Sequence, residues 1–366
     1  MNPLHQMQAL GQSAWLDYIR RDFVLDGQLQ QRIKDDGVSG LTSNPAIFEK
    51  AMGSGAEYAH ALQTLKMQGH DAMQMYETLA IEDIRAAADQ LNAQYEHTHA
   101  IDGYVSLEVS PHLANDTAGT IAEGRRLWQR VDRANLMIKV PATAAGIVAI
   151  EALLREGINV NVTLLFSVDT YTEVANAYVR ALQARQRAGL PIERLASVAS
   201  FFISRIDALL DPQLPSELQG RTAIANAGHA YAQWERIFSS APWRSLATFG
   251  AQPQRLLWAS TSTKNPAYRD VMYVEALIGP HTVNTLPPAT LEAFRDHGIA
   301  TAQLHNAARD ASATLQAVAA TGVSLERATD QLLRDGVQLF VHAFDQLLTA
   351  VDQAGSERAT GGGTNA

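Results

Sequence analysis

The 366-residue chain contains no cysteine. Disulfides, thiolate metal sites and a thiol nucleophile are therefore excluded. No uninterrupted apolar stretch approaches the roughly 20 residues of a membrane-spanning helix. The first residues, Met1-Asn-Pro-Leu-His-Gln6, show no basic region followed by an apolar run, so no secretory signal is expected. Positive charge is in deficit: 29 lysines and arginines against 38 aspartates and glutamates, a net charge of −9. That balance argues against general nucleic-acid binding, and any phosphorylated ligand would need a specific basic pocket in an acidic protein. The expectation is a soluble, cytoplasmic protein that engages neither nucleic acid nor membrane. Metal ligands are also sparse. His97-Thr-His99 brings two imidazoles close, but in a polar stretch that reads as solvated, and no metal site is expected. No Gly-x-Ser-x-Gly elbow surrounds any serine. Gly361-Gly-Gly363 follows no strand and precedes no helix, so it is not a phosphate loop.

What is present is ample apolar material, 46% of residues with only 18% charged, enough for a large core. Strand-like runs alternate with helical segments. Ser13-Ala-Trp-Leu-Asp17 precedes a helix from Asp26 to Asp35, and Val38 to Asn44 is stopped by Pro45. Helices rich in Ala, Leu and Met fill 46–95, followed by a strand from Ile101 to Val109 and a helix over 117–132. Asn135 to Thr143 is a strand and turn leading into a helix from Ala144 to Glu156, with Thr143 as N-cap and Gly157 at its end. Ile158 to Phe166 precedes a helix capped by Ser167, with Val168, Tyr171, Ala175, Tyr178 and Leu182 as its apolar face. Further strands are expected at 196–203, 255–260 and, more weakly, 281–286. Strands alternating with helices indicate parallel βαβ units, and eight of them favour a closed (β/α)8 barrel over an open sheet. Residues 300–353 are helical in pattern and are expected to pack over one face of the barrel. The expectation is one barrel domain over 1–353 with additional C-terminal helices, then a disordered tail over 354–366.

Lys139 stands at the centre of one strand, flanked by Met137, Ile138 and Val140. Dehydrating an ammonium costs several kcal/mol unless it is paired or neutralised. A nucleophilic amine is one reason to bury it, because burial lowers a lysine pKa and only the neutral amine attacks a carbonyl to form a Schiff base. A lysine that snorkels to water or pairs with a carboxylate is the competing reading.

The neighbouring strands favour the first. Side chains alternate faces along a strand. Tyr104, Ser106 and Glu108 share one face; Asn159, Asn161 and Thr163 share another; Thr42 goes with Asn44, and Ser200 with Phe202. The opposite faces are apolar and suit packing on helices, so the polar faces must point into the barrel. Buried polar groups need hydrogen-bond partners. A polyol ligand would supply them, as would a self-satisfied network with buried water. The polar residues cluster toward the C-terminal strand ends, where barrel active sites sit. Arg205 follows the Ser200 strand, and Lys264 follows Ser260 in Ala259-Ser-Thr-Ser-Thr-Lys-Asn265. Each alone reads as a surface charge at a helix start. Together, beside hydroxyls on late strands, they read as a phosphate clamp.

Five runs, in order, resemble the transaldolase family. They are Gly40-Leu-Thr-Ser-Asn-Pro-Ala-Ile47, Ser106-Leu-Glu-Val109, Met137-Ile-Lys-Val-Pro-Ala-Thr143, Gly157-Ile-Asn-Val-Asn-Val-Thr-Leu-Leu-Phe-Ser167 and Trp258-Ala-Ser-Thr-Ser-Thr-Lys-Asn-Pro266. They span nearly the whole chain and are most similar to the longer, mainly bacterial form. The resemblance implies a class I aldolase barrel that moves a dihydroxyacetone unit between sugar phosphates, from sedoheptulose 7-phosphate to glyceraldehyde 3-phosphate, giving erythrose 4-phosphate and fructose 6-phosphate. It implies Lys139 as the Schiff-base lysine and Asp17 as the acid/base acting on the C4 hydroxyl. Glu108 and Thr163 resemble the pair that holds a catalytic water. Asn44, Asn161 and Ser200 would contact the bound sugar, and Arg205 and Ser260 match phosphate-binding positions. One departure stands out: Ser262 occupies a position where shorter members carry an arginine, and Lys264 is the nearest charge to replace it. A protonated imine is itself an electron sink, so no metal or organic cofactor is implied. The partners implied are small sugar phosphates, for a monomer or homodimer.

Competing readings are a fructose 6-phosphate aldolase or another Schiff-base aldolase, a metal-dependent aldolase, and a non-catalytic sugar-phosphate-binding barrel. The metal enzyme lacks histidine ligands, and a non-catalytic barrel would be expected to lose Lys139 or Asp17. Phe202 and Glu108 resemble the transferring branch; the aldolase branch carries a tyrosine and a glutamine there.

Overall fold

Short runs of β-branched, leucine and aromatic residues, bounded by turns, form eight strands in the computed structural model, which describes residues 2–356. These are β1 (Gln12–Asp17), β2 (Gly40–Thr42), β3 (Tyr104–Glu108), β4 (Leu136–Pro141), β5 (Val160–Leu165), β6 (Ser197–Phe202), β7 (Arg255–Ala259) and β8 (Thr282–Leu286). All neighbours are parallel, each strand pairs with the next in sequence, and β8 closes on β1. The result is the (β/α)8 barrel with added C-terminal helices. From β2 to β8 every strand residue is buried, as expected when helices cover the outside and side chains fill the inside.

The outer helices begin where their caps dictate. Thr143 Oγ1 accepts from Gly146 N at 2.9 Å to start the helix Ala144–Arg155. Ser167 Oγ accepts from Thr170 N at 3.4 Å ahead of Val168–Arg187, whose Tyr171, Ala175, Tyr178 and Leu182 are fully buried. Several strands are shorter than their apolar runs. β3 starts at Tyr104 because Gly103 adopts φ 87° and Asp102 turns away into a polar hub. Asp102 accepts from Trp15 Nε1 at 2.6 Å and Ser39 Oγ at 2.9 Å, and lies 3.5 Å from Arg255 Nη2. Gly40 makes room for that indole: a Cβ there would lie 2.4 Å from Trp15 Cε2. This hub closes the N-terminal mouth, the end where barrels keep their stability rather than their chemistry.

The 300–353 segment is not one helical layer. Leu304–Ala320 carries a narrow buried stripe of Leu304, Ala311 and Val318, and packs on the outer helix Thr222–Phe238. Only Leu325–Ser356 reaches the C-terminal mouth, burying Leu332, Gly336, Val337, Phe340, Phe344, Leu347 and Val351. It also rests on the helices Pro45–Ser54 and Ala56–Met67. Gly336 sits on β5, where a Cβ would come within 3.0 Å of Leu164 Cδ2. The helix continues through Ser356, past the boundary expected at 353; the rest of the expected tail, 357–366, lies outside the described residues.

Candidate active site

Strand register places the central residues side by side. Glu108 on β3 pairs with Lys139 on β4, and Lys139 pairs with Asn161 on β5. Lys139 is 4% exposed. Its Nζ donates to the Ser43 carbonyl at 3.0 Å and lies 3.5 Å from Glu108 Oε2. That separation makes an ion pair but a poor hydrogen bond. The Phe340 ring, from the last helix, stands 5.8 Å from the ammonium. Burial raises the Glu108 carboxyl to about 7; Lys139 opposes the rise, and the Asp17 charge adds to it. Asp17, at the end of β1, is likewise pushed up by burial, against the pull of Lys139 and a 2.6 Å hydrogen bond from Thr42 Oγ1.

A cavity of about 200 Å³ opens above these groups at the C-terminal mouth. Asp17, Asn44, Lys139, Thr163, Ser200, Phe202, Arg205, Ser260 and Lys264 all line it. Glu108 and Asn161 do not; they stand behind Lys139 and Ser200. Asn161 is fully buried, donating to Ser106 Oγ at 3.0 Å and accepting from Ser200 Oγ at 2.7 Å. Thr163 Oγ1 and Glu108 Oε2 are buried without a hydrogen-bond partner. Such groups are costly until something binds them. Asn44 has a second duty, its Oδ1 capping the helix Pro45–Ser54 through Ile47 N at 3.1 Å. Phe202 packs on Phe166 with ring centroids 5.2 Å apart.

One wall is cationic. Arg205 has no carboxylate partner among the described residues, and its guanidinium lies 5.3 Å from the Phe202 ring. Burial lowers the Lys264 pKa, and the Arg205 charge lowers it further, so the two cations are near enough to repel. Lys264 Nζ donates to Ser262 Oγ at 2.9 Å, and Ser260 Oγ lies 3.0 Å from Ser204 Oγ. Ser260 holds φ 57°, a left-handed turn that ends β7 at this corner. Two cations without a carboxylate partner among the described residues thus stand beside hydroxyls on one side of the cavity.

Parity fixes the face of a residue but not its height along the barrel. Asn159 shares a strand face with Asn161, yet it bonds the Ala134 and Leu136 carbonyls at 2.9 and 3.0 Å and the Ala196 amide at 2.9 Å, far below the cavity. It is a structural group. Sequence reasoning missed Thr285 on β8 and Phe340, both of which line the cavity. Thr285 shares a strand face with apolar Val283, so polar alternation pointed to Thr282 and Asn284 instead; for Phe340 there was no signal.

The fold and site define a (β/α)8 barrel with a buried lysine flanked by two carboxyl groups and facing a cationic wall. The family model described as transaldolase/fructose-6-phosphate aldolase matches residues 14–351, and the chain belongs to that family. A transaldolase of Neisseria gonorrhoeae is 49% identical over 348 residues, covering 95% of this chain and 99% of that protein. Transaldolases of Thiobacillus denitrificans and Thermobifida fusca are each 46% identical, covering 96% of this chain and 100% and 98% of theirs. Among the described residues no helix is long and apolar enough to cross a membrane.

Proposed function

We propose that the chain catalyses the transaldolase reaction, moving a dihydroxyacetone unit from a ketose phosphate to an aldose phosphate. The observation that carries this reading is Lys139, buried beside Glu108 at the floor of a cavity with Arg205 and Lys264 on its wall. Lys139 Nζ attacks the C2 carbonyl of the ketose, and loss of water gives a protonated imine. Asp17 takes the proton of the C4 hydroxyl, the C3–C4 bond breaks, and its electron pair moves into the imine to leave an enamine. The aldehyde departs, an acceptor aldehyde takes its place, and each step reverses with the proton returning from Asp17. Glu108, near neutrality in its titration, and the unpartnered Thr163 hydroxyl suit the water that is lost and regained in the imine steps. Asn44 and Ser200 face the dihydroxyacetone hydroxyls, with Asn161 holding Ser200 from behind, while Arg205, Ser260 and Lys264 take the phosphate, Lys264 supplying the charge absent at Ser262. Neither a metal ion nor an organic cofactor is required. A cytoplasmic location, where sugar phosphates occur, accompanies this reading.

Simple aldol cleavage, which releases the three-carbon unit, is the second reading, since the family includes it. Phe202 favours transfer: a phenyl ring on the cavity wall neither positions water nor donates a proton to the enamine, as a phenol would. The test is dihydroxyacetone production from fructose 6-phosphate with and without erythrose 4-phosphate. Sedoheptulose 7-phosphate should form with little free dihydroxyacetone; release as fast as transfer would sink the proposal.

A further inference from the structure

Asp17 is backed by two hydroxyls in series. Thr42 Oγ1 lies 2.6 Å from Asp17 Oδ1 and 2.7 Å from Thr285 Oγ1. Both threonines are buried and line the cavity. The three residues come from β1, β2 and β8, at the seam where the barrel closes. Asp17 and Thr42 are register partners, and Thr285 is the partner of Trp15, two residues before Asp17.

A hydroxyl has a single hydrogen, so the direction of the chain is coupled to the charge on Asp17. An ionised carboxylate only accepts. Thr42 must then donate to Asp17, and its oxygen is left to accept from Thr285. With a proton on Oδ1 the order reverses: Asp17 donates to Thr42, and Thr42 to Thr285. Neither arrangement requires a heavy atom to move. A residue that takes a proton during cleavage and returns it during addition needs support in both states.

We propose that Thr42 and Thr285 form a reversible hydroxyl relay that positions Asp17 and supports its carboxyl in both protonation states. The proposal rests on the reading of Asp17 as the base of carbon–carbon cleavage. In that step the C4 O–H bond breaks and its proton goes to Asp17. The C3–C4 pair moves to the imine, and the C4 oxygen becomes the aldehyde carbonyl. The relay adds no proton to this balance; it only turns round. Thr285 is thus a positioning residue that acts through Thr42.

The charged groups facing Asp17 are Lys139 from β4, Glu108 from β3, and Arg205 and Lys264 across the cavity. Burial opposes the ionised carboxylate, while Lys139 and the Thr42 hydrogen bond favour it. Removing the Thr285 hydroxyl frees Thr42 from its fixed orientation and weakens its donation to the carboxylate.

The test is Thr285→Val, which keeps the shape and removes the hydroxyl, beside Thr285→Ser, which keeps the hydroxyl. Transfer by Thr285→Val should fall roughly tenfold, through kcat rather than KM, the scale of one weakened hydrogen bond to a charged group. The acid limb of its kcat/KM profile should move to higher pH. Borohydride trapping of dihydroxyacetone on Lys139 should stay unchanged, because imine formation does not use Asp17. Thr285→Ser should restore both rate and profile. An unshifted profile in Thr285→Val, or equal damage from Val and Ser, would overturn the relay. Should Thr285→Val fail to fold, Thr285→Ala against Thr285→Ser carries the same readouts. Trapping in the unmutated protein, and loss of cleavage in Asp17→Asn, test the parent reading separately. If either is missing, that reading fails and takes the relay with it.

Discussion

Replacing Glu108 by glutamine should make the protein more stable at pH 8 and leave it unchanged near pH 4.5. The Glu108 carboxyl is 8% exposed and is raised from its ordinary 4.5 to about 7 by burial, with Lys139 opposing and Asp17 reinforcing. Below pH 4.5 the group is protonated in both folded and unfolded chains and contributes nothing. Between 4.5 and 7 the unfolded chain releases the proton while the folded chain retains it, so stability falls as pH rises. Above 7 the loss is complete, and at about 1.4 kcal/mol per pH unit it amounts to about 3 kcal/mol. Lys139's attraction is already contained in that net rise. Glutamine has the same shape and cannot ionise, so Glu108→Gln escapes the decline. Guanidinium denaturation of both proteins, followed by tryptophan fluorescence at pH 4.5, 6, 7 and 8, reads the difference directly. Titrating groups that do not interact with residue 108 are common to the two proteins and cancel; Lys139 and Asp17, which do, enter through the net rise of Glu108. The gap should open between pH 4.5 and 7 and then level off, while transfer activity drops because the imine steps lose their carboxyl. A gap independent of pH, or a variant less stable at pH 8, would refute the burial argument.

Arg205→Ala should raise KM for phosphorylated donors roughly ten- to a hundredfold, the worth of a charge-assisted hydrogen bond, and barely affect dihydroxyacetone or fructose. Lys264→Ala should follow the same pattern more weakly. Equal losses with and without the phosphate would mean that these residues shape the fold instead. Asn44→Ala should lower stability by about 1 kcal/mol through the lost helix cap and also weaken donor binding, whereas Asn44→Asp should keep the cap and lose only binding. Thermal melts beside KM measurements separate the two duties. Phe202→Tyr should gain dihydroxyacetone release without acceptor while transfer falls; unchanged partitioning would remove Phe202 from the account.

The barrel was legible because the chain repeats apolar runs of strand length between helical periods, and Lys139 was legible because a cation interrupts one of them. Alternation along β3, β5 and β6 then predicted a shared polar interior. What alternation lacks is height along the barrel axis, which is why Asn159 was grouped with Asn161 although it bonds backbone near the opposite mouth. Nor does it foresee the irregularity in β5, where register shifts between Val162 and Leu165 and Leu164 takes φ 57°. No glycine marks that place; the contact with Gly336 of the last helix accompanies it. Phe340 was invisible for a similar reason: its helix looks like any amphipathic helix, and only tertiary packing sets its ring over Lys139. Strand ends moved where turn chemistry overrode apolar runs, as at Asp102 and Gly103.

In the proposed reaction Lys139 carries the reacting carbon chain. Borohydride reduction in the presence of fructose 6-phosphate, followed by peptide mass analysis, tests it most directly. A reduced three-carbon adduct is expected on the peptide containing Lys139, absent together with turnover in Lys139→Met. An adduct on any other lysine, or turnover that survives Lys139→Met, would contradict it.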